Sequence, residues 1–286
     1  MILNKFGKFV IKTLRRKIIY ESRNLERFMN KLIAITRPVS PAIDRCELTN
    51  IERVPIDLNR AIAQHHAYEE ALKALGLEVL ALPEEPDLPD AVFVEDAAVV
   101  LDECAIITRP GADSRKPETE SVARALAPYR KLYPIQAPGT VDGGDVLVVG
   151  KHIWVGLATR SNRSAIEQMQ AFLGPYGYAV EGVPVSGCLH LKSAVTQVGR
   201  ETLVINPAWV ERAAFAGMQF IEVDPGEPYA ANALLIGETM LYQPAYPRTL
   251  ARLEAAGLQA KLVDQSELAK AEGALTCCSL IFIKQA

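Results

Sequence analysis

The sequence predicts an α/β fold built as a ring of five ββαβ units, and three observations point to it. From Lys31 onward, short β-rich runs alternate with amphipathic helical stretches. The order strand, strand, helix, strand recurs along the chain. A polar residue opens each unit's first strand: Asp96, Asp142, His190, Asn232 and Cys277, at separations of 46, 48, 42 and 45.

The strand pairs are read at 92–109, 141–157, 189–206 and 231–244, each a β-rich run broken by a turn. The last run, LTCCSLIFIKQ (275–285), lacks a second strand, which LIAITR (32–37) near the start of the chain supplies. Helices are expected around 59–75, 118–127, 163–173, 208–216 and 247–256, with Gly76, Gly174 and Gly257 placed where helices end. A further strand follows each helix, at 78–82, 131–135, 179–185, 220–224 and 260–264. Joining the first and last pieces closes the ring and leaves few free sheet edges. Equivalent positions then converge on a pseudo-fivefold axis, so the five polar residues predict one central site.

Composition narrows the function. With 286 residues, 49% hydrophobic and 23% charged, the chain has the makings of a sizeable core. Every apolar run is interrupted by charge well short of the roughly 20 residues of a membrane span. Residues 1–31 carry nine Lys or Arg against Glu21 and Glu26, so with a net charge of −3 overall the remainder carries −10. An acidic body argues against a nucleic-acid partner and suits a cationic small molecule. The basic segment places Phe6, Val10, Leu14 and Ile18 at helical spacing. It reads as a targeting segment, an appended helix, or the product of an upstream start codon with Met29 opening the protein proper. The division is therefore an extension at 1–31 and a catalytic domain at 32–286. Cys46, Cys104, Cys188, Cys277 and Cys278 are odd in number and lack paired metal-ligand spacing, so no disulfide framework or structural zinc is expected. A reducing, cytoplasmic setting fits them.

The chemistry concentrates at a few positions. Strand alternation in ALTCCSLIFIK sends one of Cys277 and Cys278 to the centre, where a thiolate is a strong nucleophile if a neighbour lowers its pKa. Of the four histidines, His65 and His66 fall in a helix and His152 in a turn, which leaves His190 as the candidate acid and base. LPDAVFVEDAAVV brings Asp90, Glu95 and Asp96 together around Phe93, a set suited to a cation through charge-assisted hydrogen bonds. Arg115 and Arg160 follow strand pairs on loops and together could hold a carboxylate. Carboxylates at one end and arginines at the other fit a zwitterionic amino acid with a cationic side chain.

At these residues the sequence resembles the dimethylarginine dimethylaminohydrolases of the guanidino-group modifying superfamily. The resemblance runs from about Leu32 to Lys284 and rests on LPDAVFVED, AIITRPGADSR, VDGGDV, LHLKS, YAAN, YPRT and GALTCCS. It implies the five-bladed α/β propeller, or pentein, fold. By position it makes Cys277 the nucleophile, His190 the general acid and base, and Asp142 the residue that orients His190. Asp96 and Glu95 are implied at the guanidinium, Asp90 at the amino-acid end, Arg115 and Arg160 at the carboxylate, and Phe93 in the wall. Leu48 in a lid and Ala271 beside the site follow from weaker motifs, the family often having a larger apolar residue at the latter. The implied reaction takes a methylated arginine to citrulline and a methylated amine through a covalent cysteine intermediate. No cofactor is required, an inhibitory zinc at Cys277 and His190 is compatible, and a homodimer is one expected assembly. The rival readings are an arginine deiminase-like hydrolase or amidinotransferase of the same superfamily, and a non-catalytic sensor of arginine derivatives.

Overall fold

The computed structural model describes residues 32–284, so the targeting, appended-helix and upstream-start readings of the basic segment 1–31 lie outside the described residues. Among the described residues, fifteen strands form five three-stranded sheets that share one plan. The inner strand is antiparallel to the middle one, and the middle strand is parallel to the outer one. The sheet that joins the two ends of the described chain pairs β1 (Leu32–Thr36) with β15 (Leu280–Ile283) antiparallel and with β2 (Glu78–Ala81) parallel. The second holds β3 (Ala98–Val100), β4 (Cys104–Ile107) and β5 (Lys131–Pro134), and the third β6 (Val146–Val149), β7 (His152–Leu157) and β8 (Ala179–Pro184). The fourth holds β9 (Val195–Gly199), β10 (Thr202–Ile205) and β11 (Gln219–Glu222), and the fifth β12 (Leu234–Ile236), β13 (Thr239–Tyr242) and β14 (Gln259–Leu262). Residues of all five inner strands line a single axial cavity of about 260 Å³, so the sheets stand as blades around an axis. Closure of the ring through β1 and β15 is the pairing expected from sequence.

The parallel step in each blade requires a crossover, and four are helical: α1 (Leu58–Ala74), α2 (Glu118–Leu126), α3 (Arg163–Leu173) and, beyond the single turn α4 (Leu191–Ala194), α5 (Pro247–Ala255). Asp57 caps α1 by accepting from Arg60 N, and Asn162 caps α3 by accepting from Ala165 N. The helix expected at 208–216 is a correction: only Arg212–Ala214 turn, as a 3-10 segment. Asn206 accepts from Ala208 N and donates to Pro228 O, which fixes a turn there, and Gly217 at φ 82 ends the stretch before an α-helix can nucleate. The stop expected at Gly174 also moves, since the chain continues through Gly174–Tyr176 as a 3-10 turn and Gly177 takes the left-handed conformation. Gly76 and Gly257 end their helices at positive φ as expected.

A further correction concerns the five polar residues, which do not open strands. Asp96 lies in the 3-10 turn Val94–Ala97, Asp142 and His190 precede the turns Gly143–Asp145 and Leu191–Ala194, Cys277 lies in Thr276–Cys278, and Asn232 stands in a turn before β12. The convergence survives, but at the mouth of the ring rather than in its sheets.

Candidate active site

Three of the five turns, those of Asp96, His190 and Cys277, meet at a narrow cleft of about 10 Å³ whose walls include Asp90, Phe93, Asp96, Arg115, Arg160, His190, Ala271 and Cys277. Such a space holds about one water molecule, less than an amino acid occupies. The two cysteines separate not by strand alternation but by the 3-10 turn. Cys277 faces the cleft, while Cys278 is fully buried with its sulfur toward Gln265 and Ala274 O.

His190 is held by the VDGGDV segment. Its Nε2 lies 3.1 Å from Asp142 Oδ2, and Asp142 Oδ1 accepts from Gly111 N at 2.8 Å. Nδ1 is left facing Asp96 Oδ1 at 3.9 Å. Gly144 N donates to that same Asp96 oxygen, and a Cβ at Gly144 would sit 2.6 Å from His190 Nδ1, so glycine is required for the approach. Asp145, buried behind, accepts from Leu191 N and Ser161 Oγ and so fixes the turn that follows His190. Burial disfavours the imidazolium, but Asp96, the Asp142 hydrogen bond and Asp145 outweigh it and raise the pKa to about 9. Asp96, although buried, is held down at about 2 by His190 and Arg115. Burial, with Glu95 and Asp96 adding to it, pushes the Cys277 thiol up to about 12.

Two expected ligands are already engaged. Arg115 is buried and commits its guanidinium to Asp96 at 2.6 Å, to both oxygens of Glu118 and to the carbonyls of Asp90 and Phe93. The reading of Arg115 as a loop residue free for a carboxylate is therefore corrected to a clamp on the acids of the cleft. Arg160 makes one side-chain contact, from Nη2 to Thr49 Oγ1 at 3.0 Å, and keeps the freer guanidinium. Glu95 points away from the cleft: it accepts from Lys192 Nζ at 2.5 Å and Thr276 Oγ1 at 2.9 Å and lines the axial cavity. Its charge still reaches Cys277. Asn232 pairs with Thr276 and Lys192 O, a bracing role. Phe93 packs against Gly273, where a Cβ would fall 2.3 Å from its ring.

Leu48 is half-buried in the loop 46–51 that roofs the cleft, packed against the core around α1 rather than on the cleft wall. Asp90 accepts from Glu47 N at 3.1 Å, and Glu272 accepts from Thr49 N at 2.6 Å and Asn50 N at 2.9 Å. Glu272 is the non-glycine residue with positive φ among the described residues, at 56°, and sequence reading passed over it. Its position between Ala271 and Gly273, ahead of the cysteines, was the signal available. Glu118, Asp145 and Lys192 were missed likewise, because each acts through a partner distant in sequence. A metal-ligating arrangement is formed by Asp96, Asp142 and His190, whose ligand atoms lie within 4.8 Å of one another. It suits an ion such as zinc by its N and O donors, and Cys277 lies outside it.

The family profile described as eukaryotic N,N-dimethylarginine dimethylhydrolase matches residues 44–214. The N(G),N(G)-dimethylarginine dimethylaminohydrolase of Pseudomonas aeruginosa is 35% identical over 259 residues, covering 89% of this chain and 100% of that one. The protein of the same name from Streptomyces coelicolor is 40% identical over 248 residues, covering 86% and 95%. Among solved structures, a mutant of the Pseudomonas aeruginosa protein complexed with citrulline superposes with a TM-score of 0.84 at 34% identity, covering 87% of this chain and 98% of that one. The N-terminal domain of a cyanobacterial arginine dihydrolase, at 18% identity and a TM-score of 0.78, shares the fold alone. With the five-bladed ring and its cleft in place, these similarities show that the chain belongs to the dimethylarginine dimethylaminohydrolase family.

Proposed function

We propose that this chain hydrolyses N-ω-methylated arginine to citrulline and dimethylamine or methylamine through a covalent intermediate on Cys277. The observation that carries the reading is the imidazole of His190, held between Asp142 and Asp96 in one cleft with Cys277. That geometry supplies a nucleophile and a proton donor at one carbon.

Before substrate arrives, Cys277 is a thiol and His190 an imidazolium. A guanidinium beside Asp96 brings positive charge to the thiol, lowers its pKa and lets its proton leave to solvent. The thiolate adds to the guanidinium carbon, and His190 gives its proton to the departing amine as the carbon–nitrogen bond breaks. The resulting amidino-thioether is attacked by water, which neutral His190 deprotonates. Collapse expels the thiolate and releases citrulline, and His190 is again an imidazolium. Asp142 orients the ring throughout. Asp90 receives the substrate's amino group and Arg160 its carboxylate, Arg115 holds the acids of the cleft in place, and Phe93 and Ala271 enclose the chain with Leu48 in the roof loop above. Glu95 acts on Cys277 through its charge rather than by contact.

The reading includes a reaction that needs no cofactor, so a chelator leaves turnover unchanged. Inhibition by zinc on Cys277 and His190 would need the Cys277 sulfur to approach His190, because the metal-ligating arrangement here is Asp96, Asp142 and His190. A cytoplasmic setting is supported by the five unpaired cysteines, and light scattering checks the proposed homodimer. The deciding experiment measures citrulline release from dimethylarginine, monomethylarginine and arginine, with and without an acceptor amine. Release from the methylated substrates with no guanidino transfer is the expected result. Preference for arginine, or transfer to the amine, overturns it.

A further inference from the structure

A second chamber of about 150 Å³ adjoins the cleft and shares Leu189, Glu272 and Gly273 with it as common walls. It lies over the fifth sheet, the one whose axial turn carries Asn232 rather than a group that reacts. Ser193, in the turn that follows His190, forms one side, and Ala274, three residues before Cys277, forms another. The chamber therefore borders the turns that carry His190 and Cys277. The cleft offers about 10 Å³, and the chamber about fifteen times as much.

Its chemistry selects a small cation. Tyr229 and Tyr246 present two rings, Glu272 contributes the one carboxylate, and no Lys or Arg lines it. Gln243, only 4% exposed, lines the chamber with its amide. An amide lining a chamber can accept from, or donate to, a polar group held there. Aromatic faces with a carbonyl oxygen are the usual means of holding methylated ammonium ions.

We propose that this chamber is a binding site for the departing methylated amine, with Gln243 Oε1 accepting from its N–H and Tyr229 and Tyr246 covering its methyl groups. The inference rests on the hydrolytic reading above. His190 transfers one proton to the nitrogen as the carbon–nitrogen bond breaks, giving neutral dimethylamine. A second proton from water makes dimethylammonium, the stable form of an aliphatic amine at neutral pH. The amine's separation from the amidino-thioether into its own chamber leaves the cleft to the incoming water.

The test uses the full-length protein and dimethylammonium chloride as the probe. In wild type, dimethylammonium should lower kcat for dimethylarginine with KM unchanged, and it should bind the Cys277→Ser protein when citrulline is already present. Gln243→Leu and Tyr246→Ala should each weaken that inhibition about five- to tenfold, the loss of a desolvated cation–aromatic or hydrogen-bonded contact. Gln243→Glu should strengthen it, which guards against a loss caused by poor folding. Inhibition competitive with substrate, or equal in wild type and all three variants, overturns the chamber while leaving the hydrolase reading intact. Absence of citrulline release by untreated wild type overturns both.

Discussion

The axial cavity and the cleft differ in almost every respect. The axial cavity is walled largely by Val, Ala and Leu from the five inner strands. The cleft at the mouth is nearly filled and lined by acids, arginines, a histidine and a cysteine. Between them stand Glu95, Lys192 and Thr276, joined by short hydrogen bonds and braced by Asn232. The strands obey the repeat, so they yield a symmetric apolar pore. The turns that precede them break it, with Asp, Asp, His, Asn and Cys at equivalent places. Symmetry builds the container, and its loss within single helical turns builds the chemistry.

The largest effect should come from the residue pair that straddles this divide. Cys277→Ser is expected to lower citrulline release by at least about a thousandfold, as removal of a covalent nucleophile does elsewhere. Cys278→Ser should stay within about threefold in rate and instead lower the melting temperature, because a hydroxyl replaces a fully buried thiol. Rates and melting curves of the two variants side by side decide the matter. Equal loss of rate in both would remove the distinction between the cleft side and the packed side.

Next comes His190. His190→Gly should lower turnover by about 10²–10⁴-fold, the range for a general acid and base, while a haloacetamidine still labels Cys277. The same residue sets a pH dependence. Its folded pKa of about 9 exceeds the ordinary 6.5, so its contribution to stability is complete below pH 6.5 and disappears as pH rises through 9. Melting temperature should fall across that window in wild type more than in His190→Gly, and kcat/KM should fall above pH 9 as the imidazolium is lost. Asp96 works the other way. Its contribution is present above pH 3.8 and lost as pH falls through 2.

The two arginines sharpen the comparison further. Arg115→Ala leaves Asp96 and Glu118 buried without their partner, a loss of about 3–5 kcal/mol that chemical denaturation would detect. Arg160→Ala should leave stability within about 1 kcal/mol and raise KM about tenfold or more, as expected when one charged partner of a substrate carboxylate is removed. Measuring KM for substrates with and without the α-carboxylate separates the roles. An Arg160→Ala protein that treats both as wild type does would move the carboxylate site elsewhere.

The fold was legible because the repeat is written in hydrophobic period and glycine placement, both local properties. Strand positions and four of five crossovers followed from them. The helix misread at 208–216 failed because its pattern competes with an Asn206 turn whose other partner, Pro228, is distant in sequence. The residues of the cleft were legible as types at repeat positions and through the family resemblance. Their commitments were not: that Arg115 is occupied, that Glu95 faces the pore, and that Glu272 holds the roof all depend on partners 19 to 223 residues away.

The smallest expected effect concerns that roof. The loop 46–51 lies over the cleft, and three of its polar attachments, Asp90, Arg160 and Glu272, line the cleft beneath it. Glu272 accepts from two successive N–H groups, which needs both carboxylate oxygens, and it holds a left-handed backbone to reach them. Glu272→Gln keeps the size but supplies one acceptor in place of two, a loss of about 1 kcal/mol, or roughly fivefold in the closed population. Because closure favours bound substrate, KM should rise by about that factor with kcat little changed. A small haloacetamidine, which lacks the amino-acid end and does not need the roof, should label Cys277 at the wild-type rate. Slower labelling in the variant would show that Glu272 acts on the cysteine itself, and the roof would then be held by its other attachments, Asp90, Arg160, Ser114 and Arg53.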